Sequence, residues 1–200
     1  MKYLKIMIDK IILASKSGVR KKILEDNGIN CRVEPSNVDE DSIKKSLLKQ
    51  NATPTIISKN LAELKANKIS QKFTSEIILG ADSVIDLEGQ IISKPSDRIE
   101  AIKILQKLNG KTHHLISSVC ISKGGLMIWN HTDKASLTMK NMSILELEHY
   151  LSKISDKVLY AYNVYQIEGE GRNLFSKIDG DEDTIMGLPI KQLKEYLNIF

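Results

Sequence analysis

Ile11-Ile12-Leu13-Ala14-Ser15-Lys16-Ser17-Gly18 is the stretch that decides the fold. Four apolar residues in a row read as a short buried strand. Small polar residues then make a tight turn, and a helical stretch follows from Val19 to Asn27. Gly28 stands where a helix-terminating glycine belongs. Strand, turn and helix in that order are the commonest opening of an α/β domain. The turn also carries a chemical possibility. The leading N–H groups of a helix are unpaired and partly positive, so they can receive a phosphate. Lys16, Arg20, Lys21 and Lys22 add full charges nearby. The competing reading is a capped helix with a solvated basic face, since the segment has neither P-loop nor dinucleotide-fold glycine spacing.

Further along the chain, Thr53-Pro54 is a helix start, threonine as N-cap and proline at the first position. Ile57, Leu61 and Leu64 recur behind it at helical spacing. Glu76 to Asp86 is the clearest strand. Ile77, Leu79, Ala81, Ser83 and Ile85 point to one side, and Ile78, Gly80, Asp82 and Val84 to the other. A helix follows Lys94-Pro95, with Asp97 and Glu100 as a capping box, Ile99, Ile102, Leu105 and Leu108 as its buried face, and Gly110 at its end. His114 to Ser122, Gly124-Gly125 and Leu126 to Asn130 read as a hairpin, with Ala135 to Met139 as a separate strand. Ser143 with Glu146 caps a helix to about Lys153. The tail offers a turn at Gly169 and Gly171, a strand around Phe175, a turn at Asp179-Gly180 and a last helix after Pro189. These elements make an α/β chain with a mixed β-sheet.

Within this frame a few polar residues stand out. Asp82 lies among the small residues Gly80, Ala81 and Ser83, where a ligand could approach closely. An unpaired buried carboxylate is costly, so Asp82 must meet a cation, a metal or a donor, or else bond a local backbone group. Lys94 comes twelve residues later, after a turn at Glu88-Gly89. That return either carries its ammonium back beside Asp82 or leaves a lysine ahead of a helix. Asp39-Glu40-Asp41 either helps hold a divalent cation through oxygen ligands or forms a solvated loop. Gly169-Glu170-Gly171 is a ligand-facing loop or only a turn. His113, His114 and His131 lack metal-ligand spacing and read as structural.

Composition excludes several classes. Of 200 residues, 42% are hydrophobic and 27% charged, which rules out disordered and fibrous chains. Cys31 and Cys120 stand far apart, so they supply neither a disulfide framework nor a cysteine zinc site. The net charge of +4 comes from interspersed charges, not from the dense basic cluster of a dedicated nucleic-acid binder. No apolar run nears the ~20 residues of a membrane span. Residues 1–10 carry Asp9 and Lys10 and read as a short extension of a cytoplasmic protein, with residues 11–200 as one domain.

Taken together, the segments resemble the Maf family, also known as septum-formation inhibitors, whose members are nucleoside triphosphate pyrophosphatases. The resemblance runs from about Ile11 to the C-terminus. The family's Leu-Ala-Ser-x-Ser-Pro-Arg-Arg appears as Leu13-Ala14-Ser15-Lys16-Ser17-Gly18-Val19-Arg20. Val38-Asp39-Glu40, Leu61-Ala62-Glu63-Leu64-Lys65-Ala66, Gly80-Ala81-Asp82-Ser83 and Lys94-Pro95 follow in the family's order. Leu108 to His113, Glu168 to Gly171, Ile178 to Asp181 and Gly187-Leu188-Pro189 complete it. The resemblance implies a Maf/ITPase-like mixed sheet split by a deep central cleft, and a homodimer. It implies attack of water between the α and β phosphates of a nucleoside triphosphate, releasing a monophosphate and pyrophosphate. It makes Asp82 the base and a metal ligand, Glu40 a metal ligand, and Lys65 and Lys94 holders of phosphate oxygens. Ser15, Ser17 and Arg20 bind the phosphate tail, and Mg²⁺ or Mn²⁺ is the cofactor. A nucleotide- or nucleic-acid-binding regulator of cell division with little catalysis is the alternative; retention of Glu40, Lys65, Asp82 and Lys94 favours the enzyme.

The chain also departs from the family. Gly18 replaces a proline, Val19 the first arginine and Ser83 a threonine, while Tyr162-Asn163 stands where an Ala-Gly pair is common. Members preferring dTTP and UTP resemble one another in an arginine, a threonine and a glutamine. Those preferring 7-methyl-GTP carry tryptophan, glutamine and glutamate. The corresponding trio is Val19, Ser83 and Glu168, which matches neither set. Glu168 leans to the second and could accept hydrogen bonds from a guanine-type edge. Loss of the first arginine removes a phosphate or base contact and points to weaker or altered activity.

Overall fold

The computed structural model describes residues 11–156, 158–159 and 163–198. The N-terminal extension and Tyr162 lie outside the described residues. Among the described residues seven strands form one sheet: β1 (Ile11–Leu13), β2 (Cys31–Val33), β3 (Ile77–Leu87), β4 (Gln90–Ile92), β5 (Thr112–Lys123), β6 (Leu126–Met139) and β7 (Phe175–Asp179). The order is β2-β1-β3-β5-β6-β7, with β4 on the free edge of β3. β1 runs parallel to β2 and β3, and the other pairs are antiparallel. Helices α1 (Gly18–Asp26), α2 (Glu40–Lys49), α3 (Pro54–Ser70), α4 (Arg98–Leu108), α5 (Ile144–Lys153), α6 (Glu182–Ile185) and α7 (Ile190–Leu197) flank it. The sheet is therefore mixed and helix-flanked, as the pattern requires.

Strand β3 is covered on both faces, and its alternation sorts the core. Leu79 and Ala81 join Leu13, Val119 and Ile121 in an apolar cluster with Leu24 of α1 and Leu193 of α7. Ile78 joins Ile12 and Cys120 against Ala62, Ala66 and Ile69 of α3. A third cluster gathers Ile85 and Leu87 with Leu105, Leu108, Leu147 and Leu151 of α4 and α5. Burying each large aliphatic side chain contributes roughly 1.5–3 kcal/mol, so these clusters hold the helices to the sheet.

The caps agree with the sequence. Ser17 accepts from Arg20 N, Thr53 from Ile56 N and Asp97 from Glu100 N. Ser143 and Glu146 form the reciprocal box. Glu100 does not complete one, because its carboxylate takes the N–H of Ser96.

Several elements differ from the sequence pattern. The Ala135 to Met139 strand is the far half of a single β6, which pairs with β5 and bulges at Ile121/Ser122. Asp39-Glu40-Asp41 is not a loop: Asp39 caps α2, accepting from Ser42 N, and Glu40 opens the helix. The apolar face of α3 is rotated. Leu64 is 40% exposed, while Ser58, Ala62 and Lys65 point in. In α4, Ile99 is 69% exposed and Ala101 takes its place in the core. In α3 a small residue, Ala62, faces the sheet where close approach leaves no room for a branched one.

Candidate active site

The sheet has an opening where the quoted motifs meet. β1 covers one edge of β3 only as far as Leu79, and β4 covers it again only from Ile85. Residues 80–84 between them have an edge that neither strand pairs. The carboxyl end of a parallel strand beside such a gap is where open α/β sheets bind ligands. Ser15 to Ser17 leave β1 there. β4 runs antiparallel to β3 and ends at Ile92, opposite Ile85, so Lys94 leaves the sheet two residues later.

On the α3 side of the gap stands Asp82, 3% exposed. A Cβ on Gly80 would lie 2.2 Å from Ala62 O and 2.8 Å from Ala66 N, so only glycine lets α3 pack this closely. That approach brings Lys65, 5% exposed, over the strand. Its ammonium donates to Asp82 Oδ1 at 2.7 Å and reaches Glu40 Oε1 at 2.9 Å. Lys44 lies 3.8 Å from the other Glu40 oxygen. Asp82 Oδ2 is buried with no hydrogen-bond partner. Ser58 fixes the strand beneath by donating to Asp82 O at 3.1 Å.

Burial pushes the Asp82 carboxyl above the usual carboxylate range, against the pull of Lys65 and Arg20. Burial would also raise Glu40, but the charges of Lys65, Lys44 and Arg20 outweigh it and leave that carboxyl below its ordinary value. Burial lowers the Lys94 ammonium against the attraction of Glu40, with Arg20, Lys44 and Lys65 acting in the same direction as burial. Lys94 thus shares one electrostatic neighbourhood with Glu40 and Lys65. The cluster holds more cationic side chains than carboxylates, an imbalance suited to a polyanionic ligand.

The opposite side of β3 carries Arg20. Its Nε donates to Gly187 O at 2.9 Å, Nη1 to Ala81 O at 3.0 Å and Ser15 Oγ at 3.2 Å, and Nη2 to Ser83 Oγ at 3.0 Å. Burial lowers the Arg20 pKa, with Asp82 and Glu40 opposing. Ser15 also accepts from Ser17 N at 3.2 Å. Gly187 has φ 104, and a Cβ there would lie 2.9 Å from Ser83 Oγ. Left-handed backbone and lack of room both call for glycine.

The structure therefore gathers Ser15, Arg20, Ser83, Glu40, Lys65, Asp82 and Lys94 around the gap. Ser17 caps α1, and Val19 packs against the apolar cluster beneath α1. Glu168 is exposed, and among the described residues no hydrogen bond or ion pair joins it to the cluster. Gly169-Glu170-Gly171 is a tight turn into a 3₁₀ segment, with Gly171 crowded by Gln166 and Tyr165. A groove of 350 Å³ between α5 and that segment, lined by Met142, Leu145 and Tyr150, shares no residue with the cluster. Sequence reading missed Ser58, Ser117 and Thr184, since a hydroxyl side chain carries no signal of a partner distant in the chain.

Comparison with known proteins places the chain in a family. The Maf-like protein family matches residues 10–200. The chain belongs to the Maf family. Within it, a nucleoside triphosphate pyrophosphatase of Pelagibacter ubique is 81% identical over 193 residues, covering 96% of this chain and 99% of the relative. A 7-methyl-GTP pyrophosphatase of Brucella abortus is 37% identical, covering 94% of each chain. A solved HAM1 protein from Coxiella burnetii aligns over 64% of this Maf chain and 72% of its own at 11% identity and TM-score 0.43, too loosely to add to the assignment.

Proposed function

We propose that this Maf-family chain is a nucleoside triphosphate pyrophosphatase, acting on standard or modified nucleotides at the β3 gap. The observation that carries the reading is the pair of carboxylates joined by a buried ammonium, with one oxygen, Asp82 Oδ2, left without a partner. Such an orphan is costly in a site that only stabilises the fold.

Water attacks the α phosphorus, the bond from that phosphorus to the bridging oxygen breaks, and pyrophosphate departs. Asp82 Oδ2 accepts the proton of the attacking water, and burial makes this carboxylate a stronger base. Lys65 holds Asp82 Oδ1 and so leaves Oδ2 for the water. Lys94 and the remaining N–H of Arg20 offset phosphate charge, and Ser15 and Ser17 border the phosphate tail. Among the described residues no group of three His, Cys, Asp or Glu side chains is set to hold a metal. Mg²⁺ does not require one, since it binds through one or two carboxylates plus substrate phosphates and water. The Asp82 and Glu40 carboxylates fit that pattern and would hold Mg²⁺ or Mn²⁺. When bound, such an ion neutralises phosphate oxygens. We also assign to this reading a homodimer, a cytoplasmic setting and residues 11–200 as one catalytic domain. No described helix is long and apolar enough to cross a membrane.

The test is pyrophosphate release from a panel of standard and modified nucleoside triphosphates with Mg²⁺ or Mn²⁺. Asp82→Asn lowers release by about 10³-fold while circular dichroism and Tm stay near those of the wild type. Turnover by that variant equal to the wild type removes Asp82 as the base. No turnover of any nucleotide by the wild type favours a nucleotide-binding regulator.

A further inference from the structure

The hydroxyls behind Arg20 form a chain whose direction can be worked out. Ser117, fully buried, donates its only hydroxyl hydrogen to Thr184 O at 2.7 Å. It cannot donate twice. The 2.8 Å contact between Ser83 Oγ and Ser117 Oγ is therefore donated by Ser83. Gly187 O, 3.5 Å from Ser83 Oγ, is the poorer acceptor. With its hydrogen spent, Ser83 meets Arg20 Nη2 as an acceptor. Thr184 is held in turn by donating to Asp133 Oδ2 at 2.8 Å. The order is one-way: Arg20 Nη2–H to Ser83, Ser83 to Ser117, Ser117 to Thr184 O.

We infer that Ser117 and Ser83 are positioning residues for Arg20. Of the five N–H groups of a guanidinium, Arg20 spends four on Gly187, Ala81, Ser15 and Ser83. Those anchors lie on three segments, the turn after β1, β3 and the loop at Gly187, so together they fix both the tilt and the reach of the plane. One Nη2–H remains. Its direction is set by the bond that the other Nη2 hydrogen makes to Ser83, and that bond is ordered by Ser117. The family's threonine in place of Ser83 keeps the same hydroxyl.

This inference rests on the pyrophosphatase reading for its catalytic consequence but not for the chain of bonds, and two measurements separate them. In protein labelled with ¹⁵N-arginine, the Arg20 side-chain N–H exchanges with water about tenfold faster in Ser117→Ala and in Ser83→Ala, while backbone protection in β3 and β5 is unchanged. Unchanged Arg20 exchange overturns the inference whether or not the protein is active. In the nucleotide panel, each variant lowers kcat about tenfold with KM within about twofold, and by the same factor for every nucleotide. The double variant is no worse than the worse single one, and Ser83→Thr restores kcat. A reordered nucleotide preference in Ser83→Ala but not in Ser117→Ala overturns it. A wild type that releases no pyrophosphate removes the activity reading alone, and the exchange measurement then decides the relay.

Discussion

Asp82 and Ser83 are neighbours on β3, yet they serve opposite faces of the sheet. On the Asp82 face, Lys65 bridges two carboxylates and one carboxylate oxygen stays unpaired. On the Ser83 face, each hydroxyl hydrogen in the chain has an acceptor. The first arrangement is electrostatically incomplete without a ligand, whereas the second is closed. A polar group left unsatisfied in a buried place costs free energy that folding alone does not recover. In the proposed function, chemistry belongs to the incomplete face, and the closed face holds a guanidinium in place.

Removing the centre of the incomplete face has the largest effect. Lys65→Met leaves Asp82 buried without its cation, and breaking a buried pair from one side costs about 3–5 kcal/mol. The loss falls at the lower end because the Glu40 side chain keeps 41% of its exposure. Urea unfolding reads this, and loss of pyrophosphate release accompanies it.

A buried polar group outside both faces gives the next test. His113 bonds the Tyr165 hydroxyl at 2.6 Å within an aromatic group including Phe175, and burial lowers its pKa to about 4. The folded state holds the neutral ring, while the unfolded chain takes up a proton below about 6.5. Stability is therefore full above that pH and falls as pH drops toward about 4, by roughly 3 kcal/mol in all. Urea midpoints at pH 7 and pH 4.5 measure this, and His113→Gln flattens the difference. An equal slope in that variant assigns the acid sensitivity elsewhere.

Gly80→Ala probes how the Asp82 face is built. The added methyl meets the α3 backbone, and such overpacking costs about 2 kcal/mol. It also moves Lys65 away from Asp82, so kcat falls more than stability implies. A variant that loses Tm but keeps kcat would separate helix approach from ammonium placement. The smallest effect is expected far from either face. Ser143→Ala removes the α5 capping box and costs about 1 kcal/mol, with no change in kcat.

Local rules made much of this legible beforehand. The caps at Ser17, Thr53, Asp97 and Ser143 lie where side-chain oxygens stand before helical runs, and hydrogen bonding between neighbouring residues needs no distant partner. The alternation that separates Asp82 from Ser83 follows from the strand period of two. The face of α3 was not legible. Leu64 looks like a core residue and Lys65 a surface one, and their places are exchanged by what lies opposite. Nor did the acidic run at Asp39 show that Glu40 opens a helix aimed at a lysine of the next one.

From residue order alone come the α/β class and the helix starts at Thr53, Asp97 and Ser143, because propensity and periodicity act over a few neighbouring positions, while the residue set for polyphosphate chemistry comes from the family resemblance. Tertiary structure alone decides which oxygen of Asp82 is left unpaired, that Gly80 admits α3 to the strand, and that Ser83 spends its proton on Ser117. Those outcomes depend on contacts between residues far apart in the chain, where geometry, not residue type, settles which donor meets which acceptor.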